Sequence, residues 1–135
     1  MDNARKRVFV VDDEPLIAST LAAILEMKGF TASAFTNPFE ALACAYLLSP
    51  DLLVSDIVMP GLSGTELARD LRGRCPTCKV LLITGQAGSA SFLYAMESHR
   101  EQYPVLAKPL QPKELLHAIR HYGFFLQDWA GPGVH

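Results

Sequence analysis

The sequence has little of what marks a secreted, membrane-bound or nucleic-acid-binding chain. Only three of its 135 residues are cysteine (Cys44, Cys75 and Cys78), an odd, sparse set that suits a reducing compartment better than a disulfide scaffold. No apolar run approaches the roughly 20 residues of a membrane-spanning helix. The first such run opens at Val8 and is cut off at Asp12, too soon for a signal peptide. An excess of one charge is missing too: 12 basic against 14 acidic residues leave a net −2, and Arg5, Lys6 and Arg7 form only a short cluster ahead of a strand. That balance predicts no direct nucleic-acid binding, and the chain is expected to be cytoplasmic, with no membrane partner. Gly61 and Gly64 lie close together, but no glycine-rich loop ends in lysine and a hydroxyl residue, so a nucleotide-binding P-loop is excluded.

What is present is the material of one compact domain. Half of the residues are hydrophobic and 19% are charged, and the length allows one core with no room for a second domain. The domain is expected over residues 1–123. Beyond it, residues 124–135 form an apolar tail with Phe124, Phe125, Leu126 and Trp129, expected to pack back on the domain or to join another chain.

Apolar runs at 8–11, 52–54, 80–83 and 105–107, and a weaker one at 30–35, read as buried strands. Helical spacing separates them. Ile17, Leu21, Ile24 and Leu25 follow Pro15 and end at Gly29; Leu42, Tyr46 and Leu47 follow Asn37, Pro38 and Glu40, read as cap, first-turn proline and capping-box partner, and stop at Pro50. Ser63 and Glu66 open a third helix bearing Leu67 and Leu71. Phe92, Leu93 and Met96 suggest a fourth, and Pro112 starts a last one through Leu115, Leu116 and Ile119 to Gly123. Five strands alternating with five helices predict an α/β fold, a doubly wound parallel sheet covered on both faces.

In such sheets ligands bind beyond the carboxyl ends of the strands, where the strand order reverses. Asp12 and Asp13 follow the first strand and Asp56 follows the third. A single strand-end acid is as often a cap as a ligand, but three converging carboxylates repel one another and usually hold a cation or a proton. Oxygen ligands alone favour magnesium or manganese over zinc. Thr84 and Lys108, at the ends of the fourth and fifth strands, add a hydroxyl and an ammonium. A cation and a hydroxyl facing a carboxylate cluster suit a transferred phosphoryl group, whose charge sits on its oxygens.

Four segments, Val10-Val11-Asp12-Asp13-Glu14-Pro15, Ser55-Asp56-Ile57-Val58-Met59-Pro60-Gly61-Leu62-Ser63-Gly64, Leu82-Ile83-Thr84-Gly85 and Ala107-Lys108-Pro109, resemble the signature segments of response regulator receiver domains in order and spacing. The resemblance covers residues 6 to about 122 and implies a flavodoxin-like (βα)5 fold with strand order 2-1-3-4-5. It implies that Asp56 is the phosphoacceptor nucleophile and Asp13 the principal Mg2+ ligand. Asp12 would act directly or through water, and the carbonyl of Val58 would complete the protein's share of the metal shell. Lys108 would pair with Asp56 and then with a phosphoryl oxygen, Thr84 would bind the phosphoryl group, and Lys108-Pro109 would be cis.

The implied function is two-component signalling. A histidine kinase or phosphotransfer protein would donate from phosphohistidine, and the phosphorylated domain would switch its binding to a downstream protein or effector domain, with homodimerisation also allowed for. The chain would be no metabolic enzyme and would catalyse only its own phosphorylation and dephosphorylation. The alternative, a magnesium phosphohydrolase with an aspartyl nucleophile, expects its second acid two residues after the nucleophile and a capping insertion, where this sequence has adjacent Asp12 and Asp13 and no insertion.

Other signals are weaker. Cys75-Pro76-Thr77-Cys78 has dithiol or half-zinc spacing but follows a helix and has no second ligand pair. His117 and His121, four apart, lack a third ligand, and His99 stands alone. Two departures from the family pattern concern output. Val105 stands where an aromatic residue is usual, with Tyr103 two positions earlier, and Arg100-Glu101-Gln102-Tyr103-Pro104 replaces the usual Gly-Ala before the fifth strand. Val105 predicts a signal carried mainly by the loop at residues 85–89. Val58 and Gln86 occupy positions that tune phosphate lifetime in the family.

Overall fold

The computed structural model describes residues 6–85 and 103–121. Its elements run β1 (Arg7–Val11), α1 (Pro15–Met27), β2 (Thr31–Phe35), α2 (Pro38–Leu47), β3 (Leu52–Asp56), α3 (Gly64–Arg74), β4 (Lys79–Thr84), β5 (Val105–Ala107) and α4 (Pro112–His121). The five strands form one parallel sheet in the order β2-β1-β3-β4-β5. The predicted helix around Phe92, the loop after Gly85 and the tail at 124–135 lie outside the described residues.

The strands divide their side chains by parity, as the pleat requires. Phe9, Val11, Leu53, Val80 and Leu82 point to one face and pack against α2 and α3 through Ala41, Ala45, Leu67, Ala68 and Leu71. Val8, Val10, Leu52, Val54, Leu81 and Ile83 point to the other, against Leu21, Leu25, Leu115 and Ile119 of α1 and α4. Both faces are therefore dry, which is why β1, β3 and β4 read as unbroken apolar runs. The edge strand β2 is half open, and its weaker signal reflects that exposure.

The helix boundaries follow local chemistry. Pro15 sits in the first turn of α1, Lys28 is its C-cap, and Gly29 turns the chain with φ +98°. Ser63 and Glu66 form a reciprocal capping box on α3, with Ser63 N–H donating to Glu66 Oε1 at 2.9 Å and Glu66 N–H to Ser63 Oγ at 3.1 Å. The expectation for α2 needs correction. Asn37 Oδ1 accepts from Phe39 N–H at 2.8 Å, so the cap closes one residue earlier than a capping box would, and Glu40 stays on the exposed surface. Strand β2 starts at Thr31, and Phe30, read as its first residue, is buried in the turn before it.

Candidate functional site

Sheet order decides what meets what. The strand order reverses between β1 and β3, and their carboxyl ends place Asp12 beside Asp56. Carboxylate oxygens of Asp12, Asp13 and Asp56 all lie within 4.8 Å of one another; Asp12 and Asp56 are buried and Asp13 is exposed. Asp12 is held by its own loop, its Oδ1 accepting from Glu14 N–H at 2.9 Å. Asp56 is held by β4 on one side, with Ile57 N–H donating to Ile83 O at 2.9 Å, and by the start of α3 on the other, with Gly64 N–H donating to Ile57 O at 2.7 Å.

Lys108 comes from β5, two strands away from Asp56 and three from Asp12. Adjacent strands are about 4.8 Å apart, so only a long side chain can bring charge to the acids. Its ammonium arrives 2.8 Å from Asp12 Oδ2, 3.3 Å from Asp56 Oδ2 and 3.8 Å from Glu14 Oε1. The expected pairing with Asp56 is thus present, but Asp12 is the nearer partner. Lys108-Pro109 is cis, and Lys108 N–H donates to Thr84 O at 2.8 Å, which ties the ends of β4 and β5 together. The Thr84 side chain is buried at the same edge. Val58 is half-buried in the loop after Asp56.

The electrostatics follow from this crowding. Burial raises the pKa of Asp56 above the ordinary carboxylate value; the Lys108 ammonium opposes that, while Asp12 and Asp13 reinforce it. Burial alone would lower Lys108, but its close contact with Asp12 and the charges of Asp56 and Asp12 outweigh it and hold the ammonium more firmly protonated. Asp12 Oδ2 is fully buried, and its contact with Lys108, though short, lies off the direction a hydrogen bond prefers. A buried carboxylate oxygen without a directed donor, facing two more carboxylates, fits a small hard cation that takes oxygen ligands.

Three contributors escaped the sequence reading. Glu14, the third acid of its run, completes the ring around Lys108. Gly64 is required by contact: a Cβ there would sit 2.2 Å from Asp56 O, so only glycine lets α3 start against the end of β3. A Cβ on Gly85 would lie 3.3 Å from Lys108 Cδ, so this glycine leaves a path for the lysine stem. The Asp-Asp-Glu run could have signalled the first; nothing local distinguishes the two glycines from turn residues.

The remaining signals fall away from this edge. Cys75 caps the C-terminal end of α3, and Cys78 N–H donates to Cys75 O at 2.9 Å. Burial, reinforced by Cys75, pushes the Cys78 thiol up to about 12, the opposite of a reactive thiolate. His117 is exposed on α4; the side chain of His121, and all of His99 and Gln86, lie outside the described residues. Tyr103 and Val105 both pack on the core face shared with α3, although β5 starts only at Val105.

A five-stranded parallel sheet with this order, and an acid cluster with one lysine at its switch point, defines a doubly wound α/β domain with an acidic, cation-fitting site at the carboxyl edge of its sheet. Residues 8–120 match the family model of the response regulator receiver domain, and the chain belongs to that family. It is 32% identical over 120 residues to the DNA-binding response regulator MtrA of Mycolicibacterium smegmatis, covering 89% of this chain and 51% of that protein. It is 33% identical over 116 residues to the transcriptional regulatory protein CreB of Escherichia coli, covering 86% and 50%. The chain therefore spans about half the length of these curated relatives. In structure it resembles a CheY-like receiver domain protein from Methanospirillum hungatei, with a TM-score of 0.76 at 27% identity over 88% of this chain and 94% of that one. The chain is a receiver domain of two-component response regulators.

Proposed function

We propose that Asp56 accepts a phosphoryl group from the phosphohistidine of a histidine kinase or phosphotransfer protein, in a Mg2+-dependent reaction, and that the acyl phosphate switches binding to a downstream partner or effector domain. The observation that carries this reading is the meeting, at one sheet edge, of the buried Asp56 with Asp12, Asp13 and the Lys108 ammonium.

In this scheme an Asp56 carboxylate oxygen forms the new bond to phosphorus as the bond from phosphorus to the donor's imidazole nitrogen breaks, in line. Lys108 opposes the desolvation of Asp56 and so favours the ionised nucleophile. Once the phosphoryl group is on Asp56, the ammonium turns to one of its oxygens and the Thr84 hydroxyl donates to another. Asp13, Asp12, Asp56 and the carbonyl of Val58 would hold Mg2+, which supplies positive charge for the phosphoryl oxygens. Hydrolysis of the acyl phosphate returns the carboxylate, so the chain's own phosphorylation and dephosphorylation are the chemistry assigned to it.

Intact-mass measurement after incubation with acetyl phosphate tests this directly. One phosphoryl group is expected with Mg2+ and none with chelator or in Asp56→Asn. A phosphorylated Asp56→Asn protein would refute the assignment.

A further inference from the structure

The segment from Ile57 to Ser63 carries the Val58 carbonyl, and its two ends are pinned. Ile57 N–H donates to Ile83 O of β4, and Gly64 N–H donates back to Ile57 O. Between those ends the N–H groups of Val58, Met59, Gly61 and Leu62 make no hydrogen bond to another described residue, so packing places the middle of the loop. Ile57 and Met59 are buried, whereas Pro60 and Gly61 at the crest are exposed. What rests on the crest comes from a different element.

That element is the first turn of α2. Gly61 has φ +88°, and a Cβ built on it would lie 3.1 Å from Phe39 Cε2 and 3.9 Å from Phe39 Cζ, so the edge of the Phe39 ring meets the bare face of the glycine. Phe39 is 55% exposed and belongs to neither core cluster, which leaves this contact as the evident reason for a large ring at that position. Its backbone is fixed in turn, with Phe39 N–H donating to Asn37 Oδ1 at 2.8 Å. Two residues before Asn37, the Phe35 carbonyl accepts from Asp12 N–H at 3.0 Å. The short connection from β2 to α2 thus touches both halves of the proposed ligand set, Asp12 by a backbone hydrogen bond and the Val58 loop by a ring.

We infer that Phe39 is a positioning residue for cation binding: by resting on Gly61 it holds the loop from Ile57 to Ser63 in place, and so keeps the Val58 carbonyl available beside the acid cluster. The inference rests on the Mg2+ site proposed above and adds to it a residue from outside the ligand set. Mg2+ demands near-octahedral geometry and tolerates little displacement of its ligands, so a loop free to drift binds it less well. Glycine at 61 serves the same contact, because it accepts the left-handed backbone and its missing Cβ admits the ring.

Titration of the metal-free full chain with Mg2+, followed by amide NMR shifts, tests it on folded protein and without reference to phosphorylation. Phe39→Ala is expected to weaken Mg2+ binding by about three- to tenfold, less than losing a group bonded directly to a ligand, because the ring acts through the loop. Phe39→Tyr keeps every ring atom and should bind close to wild type. Leu47→Ala, two turns further along α2 at an 84% exposed position, should leave the affinity unchanged, which separates the contact from a general effect on the helix. Phe39→Val gives the same reading as alanine if the alanine variant folds poorly. Gly61→Ala should also weaken binding, and by less in a Phe39→Ala background, since the ring that its Cβ would meet is gone. Wild-type affinity in Phe39→Ala overturns the inference and leaves the Mg2+ site standing. So does a loss that Phe39→Tyr fails to restore or that Leu47→Ala shares, or a Gly61→Ala effect equal in both backgrounds. A wild-type chain that takes up no Mg2+ overturns the site and the inference together.

Discussion

Lys108 Nζ sits closer to Asp12 Oδ2, at 2.8 Å, than to Asp56 Oδ2, at 3.3 Å. The lysine is therefore as much the counter-ion of the buried β1 acid as the partner of the β3 acid. Removing it leaves Asp12 buried without a cation beside two other carboxylates. Lys108→Ala should destabilise the domain by roughly 2–3 kcal/mol, somewhat less than the full cost of orphaning a buried charge because Asp56 can take up a proton. Urea denaturation in metal-free buffer measures this; an unchanged midpoint would show that solvent already screens the acids.

Cation binding should offset the same repulsion. Mg2+ added to wild type is expected to raise the melting temperature by mass action on the folded state. Asp13→Asn and Asp12→Asn should each blunt that rise, and Asp13→Asn in metal-free buffer should melt no lower than wild type because it removes a like charge from an exposed site. A wild-type Mg2+ response in Asp13→Asn would remove that residue from the ligand set.

The two glycines of α3 should respond in opposite directions. At Gly64 a Cβ would lie 2.2 Å from Asp56 O, whereas at Gly73 it would meet nothing within 4 Å. Gly64→Ala should cost roughly 2–3 kcal/mol by overpacking and displace the end of β3. Gly73→Ala should be neutral or stabilise by up to about 1 kcal/mol through helix propensity. Denaturation midpoints decide both, and equal effects would contradict the contact.

Cys78 should make the fold sensitive to alkali. Its thiol is pushed up to about 12 from 9.0, chiefly by burial. Above the unfolded value the unfolded chain loses a proton that the folded chain keeps, so stability is complete below pH 9.0 and is lost as pH rises towards about 12. Cys78→Ala should flatten that decline while costing some packing at neutral pH. Rapid alkylation of native Cys78 by iodoacetamide near pH 8 would show the thiol to be neither buried nor suppressed.

The sequence by itself determined the described elements and which polar residues stand at the carboxyl ends of the strands. Unbroken apolar runs at β1, β3 and β4 reported burial on both faces, and the caps at Ser63 and Asn37 and the first-turn Pro15 marked helix starts, because both signals are local and depend on a few neighbouring residues. Asp12, Asp13, Asp56, Thr84 and Lys108 were legible because each ends a strand, and a parallel sheet sends all strand ends to one edge. Only the tertiary structure decided how far apart they lie. Which acid Lys108 favours depends on the order of β1, β3, β4 and β5 and on the reach of one side chain, and no local pattern encodes that distance. The need for glycine at 64 arises from the approach of α3 to a carbonyl eight residues earlier in the chain, and the exposure of Glu40 from a cap that closed on Phe39 instead. Alternation of the chain names the residues at an edge; packing sets the distances between them, and charge and contact energies depend on those distances.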